Sequence, residues 1–574
     1  MHCRRRTVQL TLTTSALLCA LTTAPGRAQT TTPLVLGPNA SALDRGTFTS
    51  YSPTISADGR RVVFSSSSND VVPGIANPFA LPQVYLLDTL TGVTSLVSAT
   101  ATGSPCDGRC EDSAISADGS TISFVSDATD LPTLPLTGGR EVYVYGVATG
   151  ALSLVSIALN GGLSDGESFD PVLSGNGRFV AFTSRAANLV LGDNNGFHDV
   201  FLRDLVLGTT EWISTPRISG LSGDSVSASI SADGTLLSFL SDASNLVAND
   251  PPSTFDVFLL DRAHGTLRVV NTTPSGAFAN APAQLPRLSQ DGQWLVFQSS
   301  ATDLVPGDTN GAVDVFAHSL TGQVTFRVSQ TPLGAAPAGV SDLGYPSPNG
   351  RFIVYRSTAS DIVAGDANAQ ADVFLYDMLS GRTELVSVST SGVQGNLSSD
   401  FPQVDSSGRM VIFQSRSTTL AGPVIPNTSN LLVRDRGCVV TRYCSPSPSN
   451  AGCGAAIVGS GTPSATPGSS FLVSATSLPR ERNAALVWGL AAASSPFSGG
   501  LLCVQFPLRR TLPAFTAGAG GAACAGSFVF DFSANYIGAQ GLAPGTSIFC
   551  QVLARDAGGP NLALSDALNF VICP

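Results

Sequence analysis

Lysine is absent from all 574 residues, so arginine alone supplies the 30 basic side chains against 41 acids, a formal charge of -11. An acidic chain with scattered arginines excludes a surface built for nucleic-acid phosphates. Only 12% of residues are charged, so Ser, Thr, Asn, Gly and Ala must cover most of the surface. Histidine is as scarce. Beyond residue 28 there are only His198, His264 and His318, spread over three segments at unequal positions, whereas metal-assisted hydrolysis or lysis needs convergent imidazoles. They read as surface residues. No apolar run beyond the N-terminus is long and unbroken enough for a membrane helix. Cysteine is nearly missing from the middle of the chain: between residue 28 and Cys438 only Cys106 and Cys110 occur, while seven crowd between Cys438 and Cys573.

What is present begins with an address. Residues 1–28 have an arginine-rich start, a short apolar middle and small residues at Gly26 and Ala28, the pattern of a signal peptide cleaved after Ala28. The expected product is secreted, periplasmic or displayed at the cell surface. Its loss of four arginines and no acid takes the formal charge to -15. In an exported chain the late cysteines read as a disulfide-stabilised C-terminal module.

The strongest signal is an internal repeat. The segments ISADGRRVVFSS, ISADGSTISFVS, LSGNGRFVAFTS, ISADGTLLSFLS, LSQDGQWLVFQS, PSPNGRFIVYRS and VDSSGRMVIFQS place their glycines at 59, 119, 177, 234, 292, 350 and 408, spaced by 60, 58, 57, 58, 58 and 58 residues. An aromatic follows five residues after each glycine and a serine seven after it. Asp-Gly and Asn-Gly steps make tight hairpin turns. The strand after each turn is apolar or small on both faces, as expected between packed sheets. A DVFLRD-like third strand and, past a Thr-Gly-type turn, a fourth complete the unit. Four antiparallel strands repeated seven times specify propeller blades. Residues near Leu34–Leu36 have the spacing of an outer strand without a sheet, so they are expected to join the seventh repeat and close the ring, which removes exposed edges.

These SxDGxxxxFxS segments followed by DVFxxD resemble the TolB-type, WD-repeat-like propeller repeats of exported bacterial proteins, over roughly 33–437. The resemblance implies a fold and is nearly silent about function, since propellers host scaffolds, receptors, lyases and peptidase lids alike. After Cys438 a stretch rich in Ser, Pro and Gly (438–470) reads as a linker, and alternating apolar runs over 471–574 read as a β-sandwich. The segment GGLLCVQFPLRRT with a late QVLARD resembles a C-terminal module of secreted proteins from environmental bacteria, planctomycete-like in character, and implies surface attachment or sorting. The expected fold is thus all-β: a seven-bladed β-propeller followed by a small disulfide-containing β-sandwich. The expected bridges are Cys106–Cys110, Cys444–Cys453, Cys503–Cys524 and Cys550–Cys573.

Chemistry is harder to find. GLSDG at 162–166 matches a nucleophile-elbow pattern but lacks the flanking strand and helix, so chance in a Gly/Ser-rich loop is the better reading. The serine seven past each glycine is repeated too often to be a nucleophile and suits backbone groups where the strand ends. Three repeats carry D-x-N-x-x-x-D: Asp193, Asn195 and Asp199; Asp308, Asn310 and Asp314; Asp366, Asn368 and Asp372. Calcium takes six or more oxygens, and such a loop offers carboxylates, an amide and backbone carbonyls, yet no distal bidentate acid follows, and the same residues shape a turn through their own backbone bonds. Structural turns are the expectation and calcium the competing one. No catalytic set and no cofactor is expected. The function read from the sequence is an exported, non-enzymatic, monomeric binding or scaffold protein that recognises protein or cell-surface glycan. The alternative is a polysaccharide-active hydrolase or lyase with its site in the propeller funnel. The two differ in whether charged and aromatic residues unique to individual repeats converge at one channel mouth.

Overall fold

A computed structural model describes residues 29–33, 53–69, 71–132, 139–421, 429–437, 440–444, 453–461, 463–464, 470–498, 500–516, 523–542, 546–555 and 562–572. The expected signal peptide lies outside them. Among the described residues the chain is all-β apart from one short helix, Ala534–Ala539.

Seven four-stranded antiparallel sheets occupy the described part of the repeat region, each built from one repeat except the last. In the second, for example, Cys110–Ile115, Thr121–Ser126, Glu141–Gly146 and Leu152–Leu154 lie side by side in chain order. Its hairpin shows why the repeat motif is what it is. Asp118 Oδ1 accepts from Ser116 Oγ at 2.6 Å and from the Ser120 amide at 2.9 Å, and Gly119 takes φ +72°. The repeat's aromatic faces the aromatic of the third strand across the ladder, as in Phe124–Tyr143 (5.5 Å between ring centres), Phe239–Phe258 (5.5 Å) and Tyr355–Phe374 (5.6 Å). The repeated serine ends the second strand: Ser241 Oγ donates to the Asp224 carbonyl and accepts from the Ala243 amide.

Each sheet packs on the next through its own apolar cluster, such as Ala181 and Leu202 of the third sheet with Phe239 and Phe258 of the fourth. The series closes on itself: Val62, Phe64 and Tyr85 of the first sheet share a cluster with Ile412, Leu431 and Val433 of the last. The result is a ring of four-stranded sheets, a propeller architecture. The ring is also clasped by the backbone. The strand Thr30–Pro33 pairs antiparallel with Asn430–Asp435, from Thr30 opposite Asp435 to Pro33 opposite Leu432. The clasp therefore lies just before the expected Leu34–Leu36, which fall outside the described residues. Arg434 fixes it, donating to Thr31 Oγ1 (3.0 Å) and Gln29 Oε1 (2.7 Å).

Among the described residues the C-terminal module has two sheets around one core, with a two-stranded ribbon, Ala492–Phe497 and Gly500–Val504, beside them. One runs Val440–Tyr443, Leu562–Val571, Ser547–Arg555, Asn483–Gly489, Arg509–Arg510; the other runs Ala456–Gly461, Phe471–Leu478, Gly526–Asp531. Phe471, Trp488, Phe532 and Phe570 fill the space between them. The strands at Val440–Tyr443 and Ala456–Gly461 correct the reading of 438–470 as linker: short apolar runs inside a Ser/Pro-rich stretch complete the sheets. The bridges are corrected as well. Cys444 joins Cys503 and Cys453 joins Cys524, in place of Cys444–Cys453 and Cys503–Cys524. Neighbours in sequence are not neighbours here, because the strand before Cys444 pairs with Leu562–Val571, far along the chain, and the strand after Cys453 pairs with Phe471–Leu478. Cys550 is a buried thiol, and its expected partner Cys573 lies outside the described residues. Cys106 and Cys110 are brought together as expected but as thiols, with Sγ atoms 2.7 Å apart. Each has another partner, Gln83 Oε1 at 3.1 Å from Cys106 Sγ and Ser126 Oγ at 3.2 Å from Cys110 Sγ.

Candidate functional site in the axial channel

The first strand of every repeat lines the axis of the ring. There a cavity of about 310 Å³ is bounded by residues of all seven sheets, among them Thr54, Asp112, Asp170, Ser229, Arg287, Tyr345 and Gln403. Its geometry rests on one repeated irregularity. In six of these strands the ladder slips at the third residue, a β-bulge. The residue at the slip, seven before the repeat glycine, takes a left-handed conformation: Asp112 (φ +51°), Asp170 (+49°), Ser227 (+54°), Leu285 (+48°), Leu343 (+51°) and Phe401 (+50°). None is glycine, and a branched or aromatic side chain there costs about 1–2 kcal/mol. Bulges of this kind re-aim side chains and cluster beside functional sites.

The ring of bulges is regular in backbone and irregular in chemistry. The second and third sheets contribute Asp112 and Asp170, while the fifth, sixth and seventh contribute Leu285, Leu343 and Phe401. Arg140 reaches Glu111 and Asp112, each at 3.2 Å, and lies over the Phe169 ring at 5.9 Å. Phe169 meets the His198 ring edge-on at 5.4 Å, and His198 Nδ1 lies 3.1 Å from Asp224. On the far side Arg356 bridges Asp342 (3.0 Å) and Asp400 (2.7 Å). Asp170 makes no side-chain hydrogen bond or ion pair among the described residues. Burial, reinforced by Asp112, holds its carboxyl above the usual range, against Arg287 and Arg140. Asp112 is raised by burial too, with Arg140 opposing. Sequence reasoning looked to differences between repeats but did not reach these positions, because nothing local shows which of them meet at the axis. The signal was one column, seven before each glycine, where an otherwise regular repeat changes from acid to serine to leucine to phenylalanine.

The D-x-N-x-x-x-D residues lie elsewhere, where the third strand begins. Asn195, Asn310 and Asn368 each donate Nδ2 to Oδ2 of Asp199, Asp314 and Asp372 at 2.7–2.9 Å, and accept an amide two residues on. Oδ1 of the same aspartates accepts from Ser214, Ser329 and Ser387, each two residues past the end of the fourth strand. Beside Asp308 stands a buried guanidinium, Arg327, at 3.3 Å. Gln394 Nε2 donates to both Asp366 (2.6 Å) and Asp372 (2.9 Å). Donors thus occupy the cation's place in two of the three loops. In the third, Asp193 is pushed up to about 6 by burial and by Asp199. Among the described residues no three His, Cys, Asp or Glu side chains gather as a metal site.

The remaining candidates are accounted for locally. Ser164 of GLSDG donates to Glu141 Oε1 (2.8 Å) and the Gly166 carbonyl (2.7 Å) within a loop. His264 is exposed beside Asp261, as expected of a surface residue, whereas His318 is not at the surface: it is buried in a third strand against Thr325, and burial lowers its pKa to about 4.

The chain matches no protein-family profile and no curated protein. It is similar in structure to a TolB-type protein from Agrobacterium tumefaciens (16% identity, 62% of this chain and 97% of that one, TM-score 0.34). It is also similar to a prolyl endopeptidase (12%, 79% and 56%, TM-score 0.40) and to the WD40 repeats of RRP9 (9%, 69% and 96%, TM-score 0.35).

Proposed function

We propose that this chain is an exported binding protein: a seven-bladed, TolB- or WD-repeat-like propeller that acts as a monomer and recognises protein or cell-surface glycan at its channel mouth. The disulfide-containing C-terminal module, with its planctomycete-like character, serves attachment at the cell surface. The observation that carries the reading is the channel column in which charge differs from sheet to sheet, Asp112 and Asp170 giving way to Ser227 and Leu285, while the backbone repeats. A structural column would be as uniform as the hairpin turns are. The test is binding of the purified mature protein to a glycan panel and to cell envelopes, with Asp112→Asn/Asp170→Asn as the altered mouth. Retention that the double variant loses supports the reading; equal retention by both overturns it.

One observation favours a second reading, a polysaccharide-active hydrolase or lyase in the funnel. Asp170 is an unpaired carboxyl held above its usual range beside a second carboxyl, Asp112, a combination used for general acid–base work. Release of reducing ends from a polysaccharide, lost in Asp170→Asn, would select it.

A further inference from the structure

The axial cavity holds two unsatisfied charges of opposite sign that do not meet. Asp170 has no ion pair or side-chain hydrogen bond among the described residues. Arg287, two sheets away, has no carboxylate partner among them; its Nη1 donates only to the adjacent Pro286 carbonyl (3.0 Å), and its guanidinium lies over the Tyr345 ring at 5.3 Å. Both line the same cavity, and Arg287 favours the charged form of Asp170 without contact. The surroundings sharpen the two poles. On the acidic side Asp112 and Asp170 line the cavity with Glu111 behind them, three carboxyls against Arg140 and Arg109. On the basic side Leu285 accompanies Arg287 and Tyr345 in the lining.

Partly desolvated charges without partners are costly, and the backbone bears further strain to present Asp170 at φ +49°. At about 310 Å³ the cavity is at the small end of the range for small-molecule pockets, roughly 300–1,000 Å³. We propose that the channel takes a small zwitterion of amino-acid or dipeptide size, its ammonium group held by Asp170 with Asp112 and its carboxylate by Arg287 against the Tyr345 ring. Such a ligand satisfies both poles at once, and Arg287 offers the planar fork that a carboxylate fits. The inference rests on the reading of the channel as a binding site and narrows its ligand.

The test is calorimetric titration of the mature wild-type protein with glycylglycine, acetyl-glycylglycine and glycylglycinamide. Glycylglycine is expected to bind, and each capped form, lacking one charge, to bind about tenfold or more weakly, the scale of one charge-assisted contact. Asp170→Asn should remove the preference over the acetylated form, and Arg287→Gln the preference over the amide. Equal affinity for capped and uncapped forms overturns the proposal. So does failure of all three to bind while a glycan or protein binds in a manner lost in Asp112→Asn/Asp170→Asn, an outcome that leaves the channel reading standing. Absence of any ligand that depends on these residues overturns both.

Discussion

Replacing Asp250 by Asn should stabilise the protein at pH 8 relative to its effect at pH 4. The fourth repeat keeps Asp250 and Asp256 but has Pro252 where other repeats have the asparagine that donates to the second aspartate. Asp250 and Asp256 are 8% and 1% exposed, and among the described residues no donor reaches Asp250 Oδ1 or Asp256 Oδ2, so the pair is expected to share a proton. Burial, then the charge of Asp256, pushes Asp250 up to about 7 from 3.8. The folded chain therefore keeps a proton that the unfolded chain releases. The associated stability is fully present below pH 3.8 and is lost as pH rises to about 7. At about 1.4 kcal/mol per pH unit the loss is about 4 kcal/mol. The asparagine of the variant needs no proton, and its amide can donate to Asp256. For a ring of roughly 400 residues with about 2.1 cal/mol/K of unfolding entropy each, 4 kcal/mol corresponds to about 5 °C. Calorimetric melting of both proteins at the two pH values should show the variant gaining about that much, relative to wild type, between pH 4 and pH 8. A difference in Tm that does not change with pH would refute the shared proton.

Three further outcomes are expected. Cys453→Ser, which opens a bridge spanning 71 residues, should cost about 4 kcal/mol on the chain-entropy scale, and non-reducing peptide mapping should recover Cys453–Cys524 and Cys444–Cys503 in the intact protein. Starting the chain after Pro33 should lower the melting temperature, because it strips the clasp from Asn430–Asp435 and leaves Arg434 without Thr31 and Gln29. Calcium against chelator should leave the melting temperature unchanged; a rise abolished by Asp193→Ala would show that the loop whose first aspartate meets no side-chain donor among the described residues holds the ion.

The repeat made the ring legible because its signals are local: an Asp-Gly hairpin, an aromatic five residues on, and a serine that ends the strand each work within about a dozen residues. The clasp was legible from spacing, though it lies at Thr30–Pro33 because backbone pairing, which spacing resolves only to a few residues, sets its register. The disulfides of the C-terminal module were not legible, since their pairing follows strand neighbours such as Val440–Tyr443 beside Leu562–Val571. Nor was the channel. Asp112 and Asp170 are 58 positions apart in sequence and share a cavity only through the curvature of the ring, and the left-handed bulge that carries them has no glycine to announce it.

The clasp also sets a clock. During synthesis from the N-terminus the strand Thr30–Pro33 is among the first segments made, and its partner, Asn430–Asp435, follows some four hundred residues later. At about 5–20 residues per second the interval is roughly 20–80 s. Six sheets can form in that time, but the first sheet has no neighbour for Ile55, Val62 and Phe64 until Ile412 and Val433 arrive. The opening strand must wait unpaired beside that exposed flank, so a chaperone acting on the nascent chain would find its target at the beginning of the sequence, and a stop anywhere before residue 430 would leave an open ring.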